Sequence, residues 1–402
     1  IFILNCNTFL NDYSIYNNEA SFNKYNWIID AIFGIGLSRK LDDKFKIIIK
    51  HLNENKNIIS IDLPSGVSDS PLGGPSLFVS SKYNITFGYS KLAHYMNPIN
   101  NIVVFDIGFK DLNKINMCKI TADDIKEILV ADKFKSNKHK NSTRCEIFAG
   151  SYEYPGAAFL CSMAAHKIGS GYVKLYCGNL YSTRNKDNHL LENLKTLMPD
   201  IIVKYQDSLN DDLFAFNHPA LIGPGNTSLY MLSVETDINW SGRFVIDAGA
   251  ISNFDSDNRD VSEYILEIPD FSIMTPHVGE FKDFFQLRDI KYSDIKNIQK
   301  IISKRIVILK SFNTFIITED MVYIMDRGAS ILATAGTGDV LSGILVSLLS
   351  QGYSRLEASI LGTYLHAEAA NYYMNNISKD GMTASNLIDC IPYAFNILRE
   401  NE

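Results

Sequence analysis

The sequence predicts an α/β protein with two three-layer αβα domains, and three observations carry that expectation. Buried-strand patterns alternate with helical patterns along most of the chain, which is how parallel sheets are built. Many strands end in Gly, Asp, His or Lys, the residue types that a parallel sheet gathers at its ligand-binding carboxyl end. The 402 residues, 46% of them hydrophobic, suffice for two or three domains, or two larger ones, with substantial cores.

In the first third, residues 27–33 read as a buried strand running into Gly34-Ile35-Gly36-Leu37-Ser38. Residues 42–55 are helical in pattern, with Phe45, Ile48, Ile49 and Leu52 on one side. Residues 58–62 form the next strand, closed by Leu63-Pro64-Ser65-Gly66, and residues 84–87 and 102–106 supply two more. Asp30, Asp62 and Ser65 fall at or just past strand ends. Each alone reads more readily as a cap or turn residue; together they form a candidate rim. Residues 111–119 are polar and read as a linker. A helix then opens at Thr121, with acidic residues in its first turn. Residues 133–140 are strongly basic, either a solvated loop or one that faces phosphate.

Beyond the linker, residues 146–151 read as a strand and turn, and Pro155 and Gly169 bracket a helix. Strands follow at 172–177, 220–222, 244–248, 272–274 and 306–310. They run into Gly223-Pro224-Gly225, Asp247, His277 and Lys310 at their ends or in the loops that follow. Singly, Asp247 could cap a helix, His277 could be a satisfied structural histidine and Lys310 could cap a strand edge. Residues 314–318 and 321–325 read as a hairpin.

The hairpin leads to Ala333-Thr334-Ala335-Gly336-Thr337-Gly338-Asp339-Val340-Leu341-Ser342-Gly343. Its glycines turn into an amphipathic helix carrying Val340, Leu341, Ile344, Leu345, Leu348 and Leu349 at helical spacing, with Gly352 as its cap. A glycine turn feeding a helix start presents free N–H groups, here those of Gly336, Thr337 and Gly338, to a phosphate or a developing anion. Asp339 at its mouth is of no use for binding an anion. It can take a proton from a hydroxyl whose oxygen attacks phosphorus, or it can cap the helix. Local sequence leaves both open, and the polar strand ends elsewhere favour the base.

Composition narrows the classes. The net charge of −7 argues against a general nucleic-acid surface, and no apolar run is long enough to cross a bilayer. Six scattered cysteines without a CxxC pair read as reduced thiols of a reducing, cytoplasmic compartment, and the eight histidines show no metal-ligand spacing. No Walker-type P-loop occurs.

Asp30-Ala31-Ile32-Phe33-Gly34-Ile35-Gly36-Leu37-Ser38-Arg39, followed by Ile61-Asp62-Leu63-Pro64-Ser65-Gly66, resembles the NAD(P)H-hydrate epimerase domain over residues 1–118. The resemblance implies a Rossmann-like domain that epimerises hydrated NAD(P)H and uses a potassium ion. Asp30 and Ser65 match the potassium ligands. Gly34, Ile35, Gly36, Leu37, Ser38, Arg39, Lys40 and Asp62 match substrate contacts. The family's Asn-Asn-Gly-Gly-Asp-Gly loop does not occur in this chain, which opens Ile1-Phe2-Ile3-Leu4 without Met. A truncated N-terminus and a partial epimerase half are therefore expected.

Residues 119–402 carry Tyr154-Pro155-Gly156-Ala157-Ala158, Gly223-Pro224-Gly225, Val245-Ile246-Asp247-Ala248, Thr275-Pro276-His277-Val278-Gly279-Glu280-Phe281 and the residue 333–343 motif in order. This stretch is similar to the ADP- or ATP-dependent NAD(P)H-hydrate dehydratase, a ribokinase-like fold. The resemblance implies that the hydroxyl of hydrated NADH or NADPH is phosphorylated and phosphate then eliminated. Asp339 would be the catalytic base. Ala157, Gly225, His277 and Asp339 match substrate contacts. Lys310, Ser311, Phe312, Asn313, Thr314 and Gly338 match contacts to a nucleotide carrying Mg²⁺, with ADP the favoured donor over ATP. The chain departs from the family pattern at Gly249, Ser311 and Ala329-Ser330-Ile331. A ribokinase-type kinase of a small alcohol and a non-catalytic nucleotide-binding protein are the alternatives. The expected partners are hydrated NADH or NADPH, ADP or ATP and further copies of the chain, a homo-oligomer, with neither nucleic acid nor membrane.

Overall fold

The computed structural model describes residues 25–34, 41–67, 77–99, 101–109, 116–130, 140–177, 184–205, 218–225, 243–252 and 260–400. The chain divides into two compact units, Ile1–Ile115 with Arg288–Ile295, and Asn116–Leu287 with Lys296–Glu402. Among the described residues no helix is long and apolar enough to cross a membrane.

The first unit contains β1 (Ile28–Asp30), α1 (Asp43–Leu52), β2 (Ile58–Ile61), β3 (Tyr83–Phe87), α2 (Leu92–Met96) and β4 (Ile102–Phe105). The four strands pair in parallel in the order β1-β2-β3-β4, with Ile28 opposite Ile58 and Ile59 opposite Tyr83. Asp42 caps α1 by accepting from the Phe45 N–H, and Ile48, Ile49 and Leu52 pack with Ile28, Ile58 and Val79. β1 ends at Asp30 instead of running on to residue 33: the Ile32 N–H turns to Asp30 Oδ1 and the Phe33 N–H to Ser65 Oγ, side-chain acceptors in place of a neighbouring strand. Ile1-Phe2-Ile3-Leu4 lies outside the described residues.

The second unit contains β5 (Met117–Lys119), α3 (Ala122–Val130), β6 (Arg144–Phe148), α4 (Pro155–Ile168), β7 (Tyr172–Cys177), α5 (Arg184–Leu197), β8 (Ile202–Tyr205) and β9 (Ala220–Ile222). It continues with β10 (Phe244–Ile246), α6 (Gly249–Ser252), α7 (Val261–Tyr264), β11 (Ile273–Met274), α8 (Val278–Phe284), α9 (Tyr292–Ile302, whose first four residues fall in the first unit) and β12 (Ile306–Leu309). It closes with β13 (Thr314–Ile317), β14 (Val322–Met325), α10 (Thr337–Ser350), α11 (Arg355–Asn376) and α12 (Ala384–Glu400). Ten strands form one sheet in the order β5-β14-β13-β12-β11-β10-β9-β6-β7-β8. All pairs are parallel except β12 with β13 and β13 with β14, the expected hairpin. The polar stretch read as a linker therefore contains a strand: Met117, Cys118 and Lys119 pair with Val322, Tyr323 and Ile324.

Between β6 and β9 the strand order reverses, so the crevice of this sheet lies outside their carboxyl ends. Helix α10 lines it and departs from its expected one-faced pattern. Twelve of its residues are buried, because the helix packs on α4, α11 and α12 as well as β6, β9 and β10. Its small residues permit this: a Cβ on Gly343 would lie 2.2 Å from the Cys161 carbonyl oxygen of α4. Its buried hydroxyls bond inward, Ser347 accepting from Ser170 Oγ at 2.8 Å. Gly352 takes the left-handed conformation (φ 92°) just past the helix, and Tyr353 N–H reaches back to Leu348 O at 3.2 Å.

Candidate active site

Five parallel strands that neighbour one another in the sheet deliver polar groups or glycine turns to one end of it. Gly150 follows β6, Gly223 follows β9, Asp247 follows β10, His277 lies beyond β11 and Lys310 follows β12. The His277 and Lys310 backbones form a parallel bridge, and Gly150 N–H bonds Pro224 O at 2.8 Å. At the switch point Gly225 is left-handed (φ 62°), and a Cβ there would lie 2.7 Å from Ala157 Cβ. The structure thus brings Gly225 and Ala157 together, on the β9 turn and the start of α4.

Helix α10 enters this end through Gly336, a left-handed N-cap (φ 89°) with no side-chain cap. The Thr337 N–H is bonded to Thr334 O at 3.3 Å and the Val340 N–H to Gly336 O at 3.2 Å. The helix start therefore leaves the Gly338 and Asp339 amides without intrahelical partners. Of the expected donors, the tight turn consumes the Thr337 amide. Lys310 reaches the same place: a Cβ on Gly338 would lie 3.3 Å from Lys310 Nζ.

Asp339 sits at the third helical position and no hydrogen bond reaches its carboxylate among the described residues, so it does not cap the helix. Burial pushes its pKa up to about 7. The charges of Asp247 and Glu280 add to the rise and Lys310 opposes it. Asp247, with its side chain 2% exposed, accepts from Lys310 Nζ at 3.0 Å and from Ser342 Oγ at 2.5 Å. His277 caps α8. Its Nδ1 accepts from Glu280 N–H at 3.1 Å, and Glu280 Oε2 accepts from His277 N–H at 2.9 Å. The cap accounts for His277 Nδ1, and the side chain is 61% exposed beyond it. Ser311, Phe312 and Asn313 form the turn from Lys310 to Thr314, with Phe312 exposed and Asn313 buried.

Asp247, which the sequence places at a strand end, completes the site together with Glu280, Ser342 and His366, which strand-end reasoning does not reach. The spacing of His277 and Glu280 was a readable capping-box signal. His366 is half-buried, its pKa lowered to about 4 by desolvation, and its Nε2 donates to Thr337 O at 2.8 Å beneath the turn. Nothing in the linear sequence pointed Ser342 at Asp247.

In the first unit, Asp30 Oδ1 accepts from Ser65 Oγ at 2.6 Å and from Ile32 N–H at 3.4 Å. Its Oδ2 accepts from Ser60 Oγ and Ser65 N–H, both at 2.8 Å. Burial raises the Asp30 pKa against these bonds. Four donors fill the lone pairs of the carboxylate, so the described residues as arranged offer no free oxygen of Asp30 to a potassium ion. Asp62, left-handed at φ 67°, accepts from Lys91 Nζ at 2.5 Å and Thr86 Oγ1 at 3.0 Å, and a Cβ on Gly34 would lie 3.7 Å from its Oδ2. Ile35, Gly36, Leu37, Ser38, Arg39 and Lys40 lie outside the described residues, as do residues 133–139 of the basic stretch. Among the described residues no group of three His, Cys, Asp or Glu gathers as a metal site.

A family model described as NAD(P)H-hydrate dehydratase matches residues 145–393, and one described as YjeF-related protein N-terminus matches residues 5–93. The bifunctional NAD(P)H-hydrate repair enzyme Nnr of Dictyoglomus turgidum is 27% identical, over 95% of this chain and 77% of its own. That of Escherichia coli is 25% identical, over 92% and 71%. A ribokinase-like superfamily protein from Enterococcus faecalis superposes with a TM-score of 0.58 at 21% identity, over 72% of this chain and 99% of its own. The ADP/ATP-dependent NAD(P)H-hydrate dehydratase of Bacillus subtilis, co-crystallised with ATP/Mg²⁺, gives 0.55 at 20% identity, over 69% and 97%. These likenesses make the fold of the second unit ribokinase-like. With a family match spanning residues 145–393, the chain belongs to the NAD(P)H-hydrate dehydratase family.

Proposed function

We propose that the second unit restores hydrated NADH and NADPH by phosphorylating the ring hydroxyl and eliminating phosphate, with ADP or ATP as donor. The observation that carries this is the raised Asp339 carboxylate beside the Gly338 and Asp339 amides and the Lys310 ammonium. The transferred phosphoryl group rests against those amides and Lys310 Nζ, which balance its charge. Asp339 takes the hydroxyl proton, the oxygen bonds to phosphorus, and the donor's terminal P–O bond breaks to release AMP or ADP. The C–O bond then breaks with phosphate as leaving group, and loss of a ring proton restores the double bond. Mg²⁺ arrives with the nucleotide and neutralises its phosphate oxygens. Ala157, Gly225 and His277 contact the hydrated coenzyme. Lys310 to Thr314 and Gly338 contact the nucleotide.

For the first unit the reading is epimerisation of the R and S hydrates at Gly34 and Asp62. A potassium ion at Asp30 requires the Ser60 or Ser65 hydroxyl to turn away.

The test is incubation of hydrated NADH with ADP or ATP and Mg²⁺. Recovery of NADH absorbance is expected and is lost in Asp339→Asn. No recovery with either donor refutes the reading, and a stable phosphorylated product instead identifies a kinase.

A further inference from the structure

We propose that Asp247 is a positioning residue for phosphoryl transfer: it holds the Lys310 ammonium beside Gly338 while Ser342 locks its second oxygen from within α10. The inference rests on the repair reading of the site and adds a residue that touches neither substrate nor donor.

The carboxylate is fixed from three sides. Asp247 N–H bonds Ile222 O at 3.0 Å, and a Cβ on Gly223 would lie 1.8 Å from Asp247 O, so the backbone is held hard against the β9 turn. The next residue, Ala248, is left-handed at φ 45°, a conformation unfavourable for any residue with a Cβ. The Asp247 side chain is 2% exposed. Ser342 lies one turn along α10 from Gly338. Its hydroxyl sits 2.5 Å from Asp247 Oδ2 and 3.1 Å from Gly338 O. Asp247 Oδ1 takes one Lys310 N–H at 3.0 Å, leaving two for an anion over the Gly338 and Asp339 amides.

The same placement acts on the base. The charged groups bearing on Asp339 are Asp247 from the end of β10, Glu280 from α8 and Lys310 from the end of β12. Two carboxylates oppose its ionisation and one ammonium favours it. When a phosphate draws Lys310, the balance shifts toward a stronger base at the moment a hydroxyl proton has to be taken. The departure at Gly249 leaves Asp247 as the sole carboxylate of its Asp247-Ala248-Gly249-Ala250 stretch.

The experiment compares the full chain with Asp247→Asn and Ser342→Ala. ADP·Mg²⁺ binding is measured by calorimetry, and kcat and KM are measured across pH. In Asp247→Asn the lysine loses its anchor and Asp339 loses a like charge. ADP affinity is expected to fall about tenfold, while KM for hydrated NADH stays within about twofold. The acid limb of kcat is expected to move to lower pH by about half to one unit. Ser342→Ala keeps every charge and is expected to weaken ADP binding about threefold with the acid limb in place. It carries the test if Asp247→Asn does not fold, as read from its thermal melt. Unchanged ADP affinity in the variants, or an unmoved acid limb in folded Asp247→Asn, overturns the proposal. ADP binding that falls as expected, without NADH recovery by the wild-type chain, upholds the positioning of Lys310 and refutes the repair reading alone.

Discussion

Replacing Asp339 with Asn separates what the carboxylate does for the reaction from what it costs the fold. Its pKa is raised from 3.8 to about 7. A group whose folded pKa is raised stabilises the fold below its unfolded pKa and loses that contribution as pH climbs through the folded one. The window here is therefore 3.8 to about 7. Three pKa units correspond to roughly 4 kcal/mol, and partial exposure reduces this to about 2–4 kcal/mol. Asparagine cannot ionise and escapes the loss. Between pH 5 and 8 the melting temperature of Asp339→Asn should rise relative to wild type by about 3–5 °C, at about 2 °C per kcal/mol for a domain of this size. The His366 contribution cancels, since both proteins carry it. In wild type, kcat/KM for NADH recovery should climb through a midpoint near pH 7, because the base must be deprotonated. Melting curves and initial rates on the same samples decide the matter. A melting difference that stays constant with pH, or an Asn variant that still returns NADH, refutes the assignment.

Gly225→Ala should raise KM for hydrated coenzyme and cost about 1–3 kcal/mol, since the new Cβ meets Ala157 Cβ at 2.7 Å in a left-handed residue; steady-state kinetics and a melt read both. His277→Ala removes the acceptor for Glu280 N–H. It should cost about 1 kcal/mol, raise KM for the coenzyme and leave KM for ADP unchanged. Asp30→Ala strips the acceptor from Ser60 and Ser65 and should destabilise the β1–β2 end by about 2–5 kcal/mol. Faster amide exchange there, with dehydration unchanged, is the expected result. His366, half-buried with its pKa lowered from 6.5 to about 4, should destabilise wild type by about 2–3 kcal/mol as pH falls through that interval. In His366→Gln that acid-side drop in melting temperature should shrink.

The sequence was most legible where chemistry and periodicity coincide. The helix start at Pro155, the Gly169 cap, the hairpin and the polar strand ends after β10, β11 and β12 all follow from local rules, and the structure has each of them. Local pattern failed where a partner outside the local segment decides. Residues 117–119 are polar enough to read as a linker, yet β14 supplies the ladder that makes them a strand. The periodicity of α10 marked one apolar face, but its serines are buried too, because Asp247, Ser170 and local carbonyls accept or supply their hydrogen bonds.

The sequence by itself determined that a glycine turn starts a helix with a carboxylate at its mouth, and that successive parallel strands end in groups able to serve it. Those are properties of neighbouring residues and of the alternation of strand and helix. Only the tertiary structure decided what that carboxylate is. Thr334 O takes the Thr337 amide, so the unpartnered amides of the helix start are those of Gly338 and Asp339. The proton affinity of Asp339 is set by residues up to 92 positions away, because burial and the charges of Asp247 and Glu280 raise it to about 7. Proton affinity depends on solvent exclusion and distance in space, and neither is written in the order of residues.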